Sequence, residues 1–535
     1  MSKQARIGLT LATATATAIA LAAVAVSVAS AVPYTNVRVN AHANYPEETS
    51  IAINPHNPDN VLGVAQGAGC YTYPTFDGGA TWTEGALPDQ YALGDPSVIF
   101  DREGNAFYCF IGDWEHSGIY VSRSSDGGAT WTPTATAVIA HQGQVPFEDK
   151  PYPIADWTGG PRAGYIYVTW TQFTRYGSSD PADSSRILFS RSVDHGETFS
   201  TPVPVSDRGG DAIDSDNTVE GAVPAVGPNG TIYVAWAGPR GIEFDRSTNG
   251  GVSWGRDRVI SDMPGGWDFN VPGIYRTNGL PIVKVDLSYG HHRGRIYVNW
   301  SDQRNGDTDI FLVYSDDGGA TWSPRILVND DPVGNGKDQF FSWMDVDVVT
   351  GTVYVDFYDR REHADDLTTD VYLAYSEDGG THFANAKISA TPFVPRNSVF
   401  FGDYTGISAF GGRVRPLWMR LDGTTLSLWT ALIDRPTAAV IAGGGAAGLG
   451  RLAVHPNPVQ GGGAEILYSA PTAGIEGTVQ FKIHDAAGRL VRMLQAQKGQ
   501  RVLWDGRSDT GNEVPAGVYF ISGHGFGPAR IVVIR

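Results

Sequence analysis

The sequence predicts an all-β protein made of one repeated four-stranded antiparallel unit, followed by a separate small β domain. Three observations carry this. Glycine (66) and proline (32) are abundant among 535 residues, aromatics reach 11 % and charged residues only 18 %; turn formers together with aromatics mark many short strands joined by tight turns. A turn motif, Ser/Thr-x-Asp-x-Gly-x-Thr-Trp/Phe or a close variant, occurs six times. Each copy is framed by alternating apolar segments, as around Ile119-Tyr120-Val121 and Leu312-Val313-Tyr314.

The chain opens with Lys3 and Arg6, a small apolar stretch from Ile7 to Val28, and Ala29-Ser30-Ala31. This is the pattern of a secretory signal peptide cleaved after Ala31, so residues 1–31 are expected to be removed and the protein to be secreted or held at the cell surface. No later segment is long and apolar enough to span a bilayer. The formal charge of −18 argues against sequence-independent nucleic-acid binding, which needs a basic surface. Cys70 and Cys109 could form one disulfide or remain two buried thiols.

The six turns start at Thr75, Ser124, Ser192, Ser247, Ser315 and Ser376, with spacings of 49, 68, 55, 68 and 61 residues. A fixed turn at irregular spacing means a constant unit with variable loops. The Asp bonds nearby backbone amides, Gly supplies positive φ, and the closing Trp or Phe packs beneath the turn. Upstream of the turns lie strands ending in an aromatic, such as Tyr165–Trp170, Ile232–Trp236, Ile296–Trp300 and Val353–Phe357. A Gly-marked turn, such as Pro228-Asn229-Gly230, and another strand precede them. Strand, turn, strand, loop, strand, Asp-type turn, strand is a β-propeller blade. After the sixth turn three more strands follow, and Val37-Arg38-Val39-Asn40 is an orphan strand that could complete a seventh blade with them and hide the sheet edges. Seven blades are favoured and six are the alternative.

These turns resemble the Asp-box (BNR) repeats of the sialidase superfamily of β-propellers, over about residues 37 to 434. The resemblance implies a glycan ligand and, in its enzymatic members, exo-α-sialidase-type hydrolysis by a tyrosine–glutamate pair, an aspartate acid/base and an arginine cluster. Carried over residue by residue, Tyr404, Glu220 and Asp95 are the candidate catalytic groups. Arg240, Arg304, Arg360 and Arg361, at the ends of second strands, are the candidates for holding a substrate carboxylate. The family's Phe/Tyr-Arg-Ile-Pro signature is replaced by Asn44-Tyr45-Pro46-Glu47-Glu48, which removes its first arginine. A non-catalytic glycan- or protein-binding propeller therefore stands beside the enzyme reading.

Polar residues recur where each innermost strand begins: Glu47-Glu48, Asp95, Asp149-Lys150, Glu220, Asp338-Gln339 and Asp403-Tyr404. No cofactor is required by this reading. The carboxylates of Asp211, Asp214 and Asp216, and of Asp307 and Asp309, have the spacing of a Ca²⁺ loop, while His291-His292 lacks the further ligands of a zinc site. Residues 435–448, Gly/Ala-rich and nearly uncharged, read as a linker. Residues 449–535 alternate strands with Gly turns, as in Val479–Asp485 and Ala516–Phe520. They resemble the Ig-like C-terminal modules of flagellar hook-assembly and secretion-sorting type, which implies export or surface attachment.

Overall fold

The computed structural model describes residues 34–42, 45–87, 91–288 and 290–435, and in the C-terminal part residues 451–455, 459–460, 463–469, 478–485, 489–497, 502–523 and 526–534. The expected signal segment lies outside the described residues, as does the linker beyond Arg435. The described chain is all β, with four-stranded antiparallel sheets consistent with a β-propeller. No helix among the described residues is long and apolar enough to cross a membrane.

Seven such sheets follow one another. Their first strands are Glu47–Ile53, Ala92–Phe100, Phe147–Ala155, Glu220–Val226, Ile282–Val285, Gln339–Val346 and Gly406–Phe410. In the first six sheets the strands lie in chain order. In the seventh the outermost place is taken by Thr35–Arg38, which pairs with Thr425–Asp434 through Thr35 opposite Leu432 and Arg38 opposite Trp429. Each first strand packs against the first strand of the next sheet, and the seventh packs against the first. The orphan strand thus closes a ring, and the sheet edge it would leave is covered.

Apolar side chains fill the wedges between sheets. Trp170, Trp236, Trp300 and Trp418, all in second strands, are fully buried. The six repeated turns lie at one face of the ring and are built alike. In the fifth, Ser315 Oγ donates to Asp317 Oδ1 (2.8 Å), Gly319 N donates to Ser315 Oγ (2.9 Å), and Thr321 N donates to Asp317 Oδ1 (2.8 Å). Such bonds favour the ionised carboxylate: hydrogen bonds from Thr81 and Thr75 outweigh desolvation and hold Asp77 at about 2.

The C-terminal unit has a three-stranded and a five-stranded sheet. Trp504 and Ile466 of the former share a buried core with Phe481, Ile483, Ile521 and Ile531 of the latter. Cys70 and Cys109 are two free buried thiols, which settles the alternative left open by the sequence.

Candidate functional site

The face opposite the repeated turns carries the start of every first strand and the end of every second strand. Here five sheets share one irregularity. The register slips between Glu47 and Ser50, Gly94 and Ser97, Asp149 and Tyr152, Glu220 and Val223, and Phe340 and Trp343. The extra residue in each slip is left-handed: Glu48 (φ 47°), Asp95 (48°), Lys150 (49°), Gly221 (73°) and Phe341 (52°). Only glycine adopts this backbone without strain, which costs roughly 1–2 kcal/mol at other residues. Gly221 is required for a second reason: a Cβ there would stand 2.8 Å from Leu280 Cβ. At Glu48, Asp95 and Lys150 the cost is borne by charged residues, and all three are buried.

They belong to one cluster. Lys150 Nζ lies 2.9 Å from Glu220 Oε1, 3.5 Å from Asp149 Oδ2 and 3.6 Å from Asp403 Oδ2. Lys150 N donates to Asp95 Oδ2 (3.1 Å), and Tyr404 Oη donates to Asp95 Oδ1 (3.4 Å). Asp95 also shares side-chain hydrogen bonds with Glu48 and Asp149. Tyr404 packs on Trp343 and edge-on to Tyr152. Arg276 grips Asp403 with two nitrogens, comes within 4.0 Å of Glu48 and 3.9 Å of Asp214, and lies over the Phe400 ring. Its side chain is 40 % exposed, so it is the cation that solvent reaches.

Burial sets the charge states. Desolvation, and then repulsion by Asp403, pushes Glu47 up to about 7. Desolvation is also the largest effect on Glu48 and Asp95, each pushed up to about 7, and on Glu220, pushed up to about 8 against the pull of Lys150. Desolvation opposes the charge of Lys150, but Asp149, Glu220, Asp403 and Asp95 outweigh it and keep the ammonium protonated. Burial raises the Tyr404 phenol well above its usual range, and Asp95 and Glu48 raise it further.

The three predicted catalytic residues, Tyr404, Glu220 and Asp95, therefore meet in one cluster. Their pairing differs from the expectation: the carboxylate touching the tyrosine is Asp95, while Glu220 is paired with Lys150. The four predicted arginines stand apart from this cluster: among the described residues none has a hydrogen bond or ion pair to it. Arg240 is held by Glu243 and Asp257. Arg304 is held by Asp302 and Asp262. Arg360 is buried, donating to the Asp366 carbonyl and Thr369. Arg361 is held by Asp359, Asp330 and Asp331. They stand on the expected face; Arg240, Arg304 and Arg361 are held within their own neighbourhoods, while Arg360, 3.9 Å from Asp338 Oδ2, keeps a buried Nη2 with no hydrogen-bond partner. Asp338 and Gln339 also stay apart, bonded to the Thr308 amide and to Asp331.

Arg276 was not among the predicted residues. It sits in an insertion between the fourth and fifth sheets, braced by the short pair Asp268–Phe269 and Thr277–Asn278. The other long loop, between Ile166–Phe173 and Ser185–Ser192, brings the Tyr176 hydroxyl onto Asp214. Tyr45, Trp114, Tyr176 and Tyr275 are the large aromatic residues exposed on this face, at 54, 58, 46 and 61 %. Of the proposed Ca²⁺ loops, Asp216 accepts from the Asp268 amide, Asp307 from the Gly336 amide, and Asp309 from Asn305 and Asn329. Among the described residues no three His, Cys, Asp or Glu side chains are placed to share a metal ion.

The BNR/Asp-box repeat family matches residues 313–324, the fifth turn and its flanks. No curated protein matches the chain. Among solved structures, a PL25-family ulvan lyase is similar at 15 % identity, over 74 % of this chain and 96 % of its own, with a TM-score of 0.44. The Hadza microbial sialidase Hz136 is similar at 14 % identity, over 71 % of this chain and 75 % of its own, with a TM-score of 0.43. A Trypanosoma rangeli sialidase is similar at 13 % identity, over 83 % of each chain, with a TM-score of 0.36.

Proposed function

We propose that the protein is a secreted, seven-bladed, glycan-acting propeller whose working face is the mouth holding Tyr404, Asp95, Glu220 and Lys150, and that the reaction is glycoside hydrolysis. The observation that carries this reading is the convergence of Tyr404, Asp95 and Glu220, from three different sheets, into one buried hydrogen-bonded and ion-paired cluster. Tyr404 keeps its proton at neutral pH, so it becomes a nucleophile only as that proton passes to Asp95. Asp95, poised near 7, is suited both to take a proton and to return it to a leaving group. The Lys150 ammonium holds the carboxylates of Glu220, Asp149 and Asp403 together behind the reacting groups. Arg276 is the group for an acidic substituent of the sugar, exchanging its Asp403 carboxylate for the ligand's. The C-terminal unit is read as an Ig-like attachment module.

A second reading, a binding propeller without turnover, is favoured by one observation: Arg240, Arg304, Arg360 and Arg361 all stand apart from the Tyr404 cluster, so Arg276 alone replaces the arginine cluster. Release of fluorophore from a sialoside and from a panel of uronides separates the two, with Tyr404→Phe and Asp95→Asn as controls. Turnover lost in both variants supports hydrolysis. No turnover above the variants, with retained binding on a glycan array, supports the binding propeller; neither turnover nor binding sinks both.

A further inference from the structure

The turns joining first to second strands meet at the other mouth of the ring, on the same face as the repeated turns. All seven sheets contribute, and they enclose a pocket of about 200 Å³ on the axis. Its wall is largely apolar, with Trp157, Leu287, Val348 and Phe410, and it carries two guanidinium groups, Arg102 and Arg293. The remaining wall residue comes from the C-terminal unit: Glu465, on Ala464–Ser469.

We propose that the C-terminal unit docks on this far mouth as a plug, its Glu465 carboxylate set against the Arg102 and Arg293 side, so that the acidic mouth is the face left open to ligand. Two features support this occupant. The first is charge: one acidic residue enters a pocket whose charged ring residues are arginines, and in a partly apolar wall such a pairing fixes orientation. The second is the path of the chain. The third strand of the seventh sheet ends on this face, where Arg435 N donates to Gly412 O (2.7 Å). Gly412 lies in the same turn as Phe410. The chain thus leaves the ring beside the pocket, and the 15 residues from 436 to 450 reach at most about 50 Å, ample for the axis.

Docking here gives the chain a polarity. Whatever surface holds the C-terminal unit stands behind the ring, and the Tyr404 cluster faces away from it. This inference does not depend on the reaction proposed above.

Charge reversal in the full-length chain tests it, using Glu465→Arg, Arg102→Glu and the two together. Amide hydrogen exchange at Trp157–Gly159 and Val348–Val349 reports the pocket wall, and small-angle scattering reports the overall dimension. Each single reversal is expected to speed exchange at these amides by about tenfold, the effect of losing roughly one charge pairing, and to enlarge the radius of gyration. The double variant is expected to restore both. Unchanged exchange in either single variant, or failure of the double variant to recover, overturns the proposal. Exchange at the buried strand Ile232–Gly238 serves as the folding control.

Discussion

Replacing Lys150 by methionine is the most direct probe of the cluster. Methionine preserves most of the aliphatic chain, so the packing change is small. The ammonium it removes has carboxylate oxygens of Glu220, Asp149 and Asp403 at 2.9, 3.5 and 3.6 Å, and none of these residues is more than a tenth exposed. Breaking a buried ion pair from one side costs about 3–5 kcal/mol, because the partner charges stay buried without compensation. That cost applies only while the carboxyls are ionised. Glu220 is already pushed up to about 8 and Asp149 is raised well above its usual range with the lysine present; without it both rise further, so at pH 8 the variant meets this cost by taking up protons against the solution pH. At pH 5 they take up protons, and the penalty falls to lost hydrogen bonds, about 1–2 kcal/mol. Urea unfolding followed by tryptophan fluorescence, for wild type and Lys150→Met at pH 5 and pH 8, measures the difference. A loss below about 1 kcal/mol at pH 8, or an equal loss at both pH values, would refute the idea that the ammonium is what makes this cluster tolerable.

Three further outcomes follow from the same structure. Glu48 and Asp95 at about 7 and Glu220 at about 8 lie above their ordinary values, so the folded chain holds protons that the unfolded chain releases. Their contribution is complete below about pH 4 and is lost as pH rises through 7 to 8. Asp77, Asp194 and Asp378, held at about 2, contribute in the opposite sense, losing stability as pH falls from about 4 toward 2. The melting temperature is therefore expected to be higher at pH 5 than at pH 8.5, and a flat or rising profile across that range would contradict the assignment. Gly221→Ala should cost about 2–3 kcal/mol, combining left-handed strain with a clash on Leu280; chemical denaturation reads it, and a neutral effect would count against the backbone described here. Burial pushes the Cys70 thiol up to about 12 and Cys109 higher still, so a thiol reagent should label two cysteines after unfolding in denaturant and neither in the native state.

The repeated unit was legible because its turn chemistry tolerates few residues. A hydroxyl two places before a carboxylate, with a left-handed glycine four places after the hydroxyl, is a local hydrogen-bond scheme that announces itself in the sequence. The closing strand was legible as an alternating segment with no partner nearby. Tyr404, Glu220 and Asp95 could be placed because they stand where first strands begin, a position the repeats locate. The separation of the four arginines from the cluster has a physical reason. Arg304 and Arg361 lie two residues after Asp302 and Asp359, and Arg240 three before Glu243; such spacings already predict local pairing. Arg276 fell in a segment with no repeat to align it. Its signal was the spacing itself: the two 68-residue intervals are the ones whose extra loops deliver Tyr176 and Arg276. The buried role of Lys150 depends on a bulge shared across sheets, which only the register reveals.

The strand that seals the ring also bears on how the chain acquires its structure. Thr35–Arg38 cannot pair until Thr425–Asp434 exists, and Asn40 Oδ1 accepts the Leu428 amide across 388 residues of sequence. Contacts this distant are late and slow to form. Until they do, a half-made ring shows two unpaired sheet edges, each a template for another copy. A chain emerging from its amino end therefore carries the closing strand unpaired for almost its entire synthesis. The last step, rather than any single sheet, is where misassembly and capture by a chaperone compete with completion.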